Sequence, residues 1–155
     1  MKVFWVTKRL AFGSAITTGG HVEQLETLGI THVVNLRHSK HRKGVRQFKS
    51  LWLPFPDDKE PRPKWFYRHA LRFYVKAMRQ PDSKLFVMCH HGICRSASLT
   101  YFFMRVDGLS IAKAKSTVLK ARPQARIVPA YWRSGEDFRS LYMFRQISKG
   151  KQTQA

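Results

Sequence analysis

The chain has 155 residues, 43% apolar and 13% aromatic, which supplies one globular domain with a core and excludes wholesale disorder. Twenty-nine Lys and Arg against nine Asp and Glu give a formal charge of +20, which implies an anionic partner or anionic surroundings. No run approaches the roughly 20 apolar residues of a membrane span.

Val3 to Val6 and Leu10 to Gly13 are short β candidates. Lys8 and Arg9 cut the first apolar run too early for a secretory signal. His21 to Leu28 reads as a helix with Val22, Leu25 and Leu28 on one face, closed by Gly29. Thr31 to Leu36 is a buried-strand candidate. The segment Arg37 to Lys49 then carries six Lys or Arg inside a stretch, Glu26 to Asp57, with no intervening acid. Leu51 to Phe55 is a further short strand, and prolines 54, 56, 61 and 63 mark a rigid loop.

Lys64 to Arg79 has helical spacing at Phe66, Ala70, Phe73 and Ala77. Leu85 to Met88 is a continuous apolar run, as in a buried parallel strand. Ser96 to Val106 reads as a helix, and Ser110 caps another that runs to Ala121 and stops at Arg122-Pro123. Ser134 is the expected cap of a last helix, with Glu136 and Asp137 in its first turn. Lys149 to Ala155 reads as a loose polar tail, leaving one domain over 1–148 and a tail over 149–155. Strands alternating with helices predict an α/β fold with a mainly parallel sheet of four or five strands flanked by helices. Ligands of such sheets sit beyond the carboxyl ends of the strands, where the loop after Met88 lies.

That loop is Cys89-His-His-Gly-Ile-Cys-Arg-Ser96. A nucleophile, a glycine and an arginine share one turn between strand and helix. Backbone N–H groups entering a helix cradle an anion. Gly92 lets the chain fold around it. Arg95 offers a planar fork for two phosphoryl oxygens. This positive setting favours the thiolate of Cys89, the form that attacks phosphorus. The Ser96 hydroxyl is placed to stabilise that thiolate as it leaves. Such a pattern arises by chance in roughly one chain per thousand of this length. His90, His91, Gly92, Ile93 and Cys94 are the expected substrate-binding residues of the loop. Two adjacent histidines with Cys-x4-Cys spacing suit zinc poorly, so no metal and no cofactor is expected. The presence of only two cysteines suits an intracellular protein, cytoplasmic or nuclear.

The loop resembles the Cys-x5-Arg-Ser/Thr signature of cysteine-based protein phosphatases. Its Ile-Cys-Arg-Ser ending is similar to the low-molecular-weight tyrosine phosphatases, but there the loop lies near the N-terminus. The rest of the chain resembles the dual-specificity phosphatase family. The residues that carry this are Leu10 to Ala15, Leu25 to Leu36, and Ala112 to Pro123 with its Arg-Pro stop. Two departures stand out: Met88 occupies a position usually held by His, and the segment 37–49 is unusually basic. The resemblance implies a general acid on a loop upstream of the nucleophile. Leu53-Pro-Phe-Pro-Asp-Asp58 sits there, its Pro-Phe-x-Asp pattern is similar to the acid loop of lipid-phosphatase relatives and points to Asp57, and Asp58 is the alternative.

The implied activity is phosphate monoester hydrolysis through a phosphocysteine, on phosphotyrosine and phosphoserine/threonine in proteins. The alternatives are an RNA 5′-phosphatase or triphosphatase, a phosphoinositide phosphatase, and a basic polyanion-binding module with a secondary site. Arg42, Lys43 and Arg46 are the expected contacts to RNA or acidic lipid. The protein is expected to act as a monomer.

Overall fold

The structure, a computed structural model, describes residues 1–40 and 46–153. Five strands form one sheet in the order β1-β2-β5-β3-β4. They are β1 (Val3–Trp5), β2 (Leu10–Gly13), β3 (His32–Asn35), β4 (Lys49–Trp52) and β5 (Leu85–Met88). Only the β1–β2 pair is antiparallel, and β5 runs parallel between β2 and β3. The continuous apolar run at 85–88 is therefore the buried centre of the sheet, covered on both faces.

The period of two sorts those strand residues between two layers. Leu10, Phe12, Val34, Leu85 and Val87 face the larger core. Ala11, Val33, Phe86 and Met88 face the smaller one, closed by Val22 and Leu25 of α1 (Gly19–Thr27). Thr18 caps α1 through its side chain, and Gly29 takes φ +78° just past its end. The larger core is covered by α2 (Lys64–Met78), α3 (Arg95–Val106), α4 (Ile111–Ala121) and α5 (Pro129–Thr153). Every residue of α3 from Ser96 to Met104 is buried, so this helix is the hub on which the others pack.

Three expectations are corrected. The fourth strand is Lys49–Trp52, two residues earlier than the apolar run suggested. Its pairing begins where the Lys49 amide donates to the Thr31 carbonyl, and Leu53 and Phe55 continue past the strand while still bonding to Asn35 and Leu36. The last helix begins at Pro129, whose fixed φ suits a first turn, and not at Ser134. Ser134 lies inside it, donating to the carbonyls of Ala130 and Tyr131. Glu136 does not serve the helix dipole; it forms a two-pronged ion pair with Arg105 of α3 at 2.6 and 3.0 Å. The same helix runs to Thr153, through most of the segment expected to be a tail.

Candidate active site

The loop 89–94 leaves the carboxyl end of the central strand and enters α3. Its shape is dictated by where its carbonyls go. The His90 carbonyl accepts from the Ala15 amide at 3.2 Å, and that of Ile93 from the Arg126 amide at 2.8 Å. The carbonyls of His91 and Gly92 both accept from Arg122 Nη1 at 2.8 Å. With four successive carbonyls held outside, the amides turn inward. Among the described residues, none of the N–H groups of 90–94 has a protein acceptor. Converging, unpaired amides at a helix entrance form an anion site.

Gly92 makes the turn possible. It sits at φ +67°, and a Cβ there would lie 2.4 Å from the backbone of Gly13. Gly13 in turn faces the Lys2 carbonyl, 2.0 Å from where its own Cβ would be. The loop is thus clasped between the end of β2 and Arg122, whose guanidinium also lies over the Phe4 ring at 4.6 Å.

Cys89 lies at the floor, 3% exposed, with Sγ 3.3 Å from the Ser96 hydroxyl. Arg95 is anchored along one edge only: Nη1 donates to the carbonyls of Leu36 at 3.1 Å and Phe55 at 2.7 Å. Its Nε is buried without a protein partner. That anchoring ties the phosphate-loop helix to the end of β3 and to the acid loop. His90 and His91 meet edge to face, both exposed. His91 first, then burial, Arg37 and Arg95, hold His90 below its ordinary value, so it is neutral at neutral pH. Cys94 is half-buried; burial, then the Asp57 charge and Cys89, push its thiol up. Met88, in place of the family's His, gives its thioether sulfur to the Ile16 amide at 3.5 Å. The hydrogen-bonding role of that position is thus turned towards the 14–16 loop.

The two candidate acids sit in different surroundings. Asp58 accepts from the Glu60 amide at 3.0 Å and from Arg62 at 2.9 Å, and these hold its carboxyl below the usual range. Asp57 accepts from the phenol of Tyr131 at 3.0 Å. The same phenol accepts from the amide of Lys59, a non-glycine residue at φ +59°. Arg62 lies between the rings of Phe55 and Tyr131, 3.9 and 4.1 Å from their centroids. Arg62, Arg122, Tyr131 and Arg37 are site residues that the sequence reading left out. Arg37 alone had a signal, as the first residue of the basic cluster. Its main chain is fixed by Asn35 and by the Trp52 indole, and its charge is one of those that lower the His90 pKa. Arg46 is exposed, and Arg42 and Lys43 lie outside the described residues.

A cysteine, an arginine and a serine around an inward-facing amide nest, at the carboxyl end of a central parallel strand, define a cysteine phosphatase. The family model for the dual specificity phosphatase catalytic domain matches residues 11–139, and the chain belongs to that family. Human dual specificity phosphatase 28 is 29% identical over 147 residues, covering 94% of this chain and 82% of the relative. Human dual specificity protein phosphatase 26 is 29% identical over 112 residues, 68% of this chain, and the chain spans only 52% of that relative. The crystal structure of human DUSP28 superposes with a TM-score of 0.77 at 27% identity, covering 91% of this chain and 95% of that one.

Proposed function

We propose that this chain hydrolyses phosphate monoesters on phosphotyrosine and phosphoserine/threonine of proteins, with Cys89 as nucleophile. The observation that carries the reading is the carbonyls of residues 90–93, all held by Ala15, Arg122 and Arg126, which leave the loop amides free of protein acceptors. In the first step Cys89 Sγ attacks phosphorus in line, the P–O bond to the leaving group breaks, and Asp57 gives that oxygen a proton. The loop amides, with His90, His91, Gly92, Ile93 and Cys94, hold the three equatorial oxygens. The Nε edge of Arg95, unpaired within the protein, adds the planar fork. In the second step water attacks the phosphocysteine, Asp57 takes the proton, and the Ser96 hydroxyl stabilises the departing thiolate.

Asp57 is assigned over Asp58 because Asp58 is held ionised by Glu60 N–H and Arg62 and is committed to holding the loop. The free thiols of Cys89 and Cys94 suit a reducing cytoplasm. Arg42, Lys43 and Arg46 remain proposed contacts to a polyanionic substrate such as RNA or acidic lipid. Among the described residues no helix is long and apolar enough to cross a membrane. The test is a panel of phosphopeptides, 5′-triphosphate RNA and phosphoinositides, with Cys89→Ser as blank. Turnover of phosphopeptides that is lost in Cys89→Ser supports the reading. A preference for RNA or phosphoinositide overturns the substrate class, and turnover by Cys89→Ser overturns the nucleophile.

A further inference from the structure

Most of the +20 charge lies outside the catalytic loop, and its placement on α2 is unusual. Lys64, Arg68, Arg72 and Lys76 recur every fourth residue along one exposed face. The helix contains no acid. Like charges at i, i+4 destabilise a helix, and cations in its first turns oppose its dipole. Only Lys76, in the last turn, is favoured by the dipole; the other three cations cost the helix stability.

The stripe forms one wall of a groove of about 570 Å³ between α2 and α5. Arg145 stands on the opposite wall. The floor is apolar: Leu71, Val75, Leu141 and Tyr142. Leu141 is 41% exposed there, on a surface where a solvated helix would carry a polar residue. No acid lines the groove among the described residues. Its end at Lys64 follows the proline-rich stretch 59–63 that leaves the acid loop along the chain.

We propose that this groove docks an acidic amphipathic helix of a protein partner, apolar stripe on the floor and carboxylates against the cationic walls. The floor decides against the other polyanions. Bases of a single-stranded nucleic acid need open aromatic faces. Here the lining aromatics are Tyr142 and the buried Phe138, 6.4 Å apart at 15°, so no row of open rings lines the groove among the described residues. A lipid surface is flat, whereas these apolar residues line a cleft between two helices that also carries the cations.

The test uses the full chain and fluorescence anisotropy. The probe is a synthetic peptide of about 15 residues, the length of helix that matches α2, with leucines at i, i+3, i+4 and i+7 flanked by glutamates. A scrambled peptide of the same composition, oligouridylate and phosphatidylserine vesicles are the other arms. The ordered peptide is expected to bind at least about tenfold more tightly than the scrambled one. Arg72→Glu with Lys76→Glu, and separately Leu141→Ser, are each expected to weaken it by about tenfold or more. Turnover of a small aryl phosphate should stay unchanged in both variants, which shows that they fold. Equal binding of the scrambled peptide, binding insensitive to either variant, no binding, or tighter binding of oligouridylate or vesicles overturns the proposal.

Discussion

The phenol of Tyr131, near the start of α5, donates to Asp57 at 3.0 Å while accepting from the amide of Lys59 at 2.8 Å. One hydroxyl thus closes the turn that carries the proposed acid. Burial, with the neighbouring carboxylate, raises this phenol above its ordinary value, so at neutral pH it stays a donor. Arg62, clamped between the Tyr131 and Phe55 rings, fixes the other side of the loop through Asp58 and the Pro56 carbonyl. The left-handed backbone of Lys59 persists because these contacts over-determine it. The acid loop is accordingly held in place before any substrate binds.

Tyr131→Phe removes the hydroxyl and keeps the ring against Arg62. On a phosphopeptide with a poor leaving group, kcat should fall about tenfold, a fraction of what a general acid contributes. On an aryl phosphate with an activated leaving group, the loss should be under about twofold, since little protonation is needed. In an Asp57→Asn background the substitution should add nothing. Equal losses on both substrates would make Tyr131 a support of the fold alone.

The two acids should separate in the same assay. Asp57→Asn should lower kcat on the phosphopeptide by about a hundredfold, within the range for a lost proton donor. Asp58→Asn breaks the contacts to Glu60 and Arg62 and should cost far less. Steady-state kinetics over the acidic to neutral range check this, with the pH dependence flattened only in Asp57→Asn. The reverse ranking would assign the role to Asp58.

Arg122 is the third case. Its Nη1 donates to two loop carbonyls at 2.8 Å while the planar guanidinium lies over the Phe4 ring, and the shorter, tetrahedral ammonium of Lys does not reproduce that placement. Arg122→Lys should weaken orthovanadate inhibition and lower kcat/KM by about 10- to 100-fold, as loss of an orienting partner does at other sites. A lowered melting temperature with vanadate affinity intact would reduce Arg122 to a prop of the fold.

What the sequence revealed and what it hid follow from the range of the interactions. The strand Leu85–Met88, the loop Cys89 to Arg95 and the helix behind it are contiguous, so apolar run, glycine and arginine could be read together. The helix capped by Ser110 and the closing glycine at 29 are equally local, and both stand as read. Tyr131 and Arg122 reach their partners across 74 and 31 residues, and no local pattern marks such a partner. Arg122 looked like a helix stop because it is one: α4 ends at Ala121, and the same residue then crosses to the loop. Ser134 misled because its hydroxyl suits a cap, while the helix start was set five residues earlier by Pro129. β4 was misplaced because it is an edge strand whose limits are set by its partner β3 rather than by its own apolar residues.

Cys94 is expected to act as a resolving thiol for Cys89. The two lie at the ends of one curled loop, and the charge of Cys89 acts on Cys94. Peroxide converts the Cys89 thiolate to a sulfenic acid, reducing the peroxide oxygen to hydroxide. Attack by Cys94 on that sulfur then forms the disulfide and releases water, and an added thiol restores both cysteines. Burial, with Asp57 and Cys89, raises the Cys94 pKa, so little of it is thiolate at neutral pH. Disulfide closure after sulfenic acid formation should therefore accelerate as pH rises and show no plateau in the ordinary thiol range. Asp57→Asn removes one of the charges that raise Cys94 and should speed closure at a given pH. Stopped-flow trapping of the sulfenic acid with a dimedone-type probe would follow the step. In Cys94→Ser, the sulfenic acid should persist and continue to the sulfinic acid, so that recovery by a thiol reductant fails. If Cys94→Ser recovers activity as fully as the parent after the same peroxide exposure, Cys94 is a half-buried filler of the loop and protects nothing.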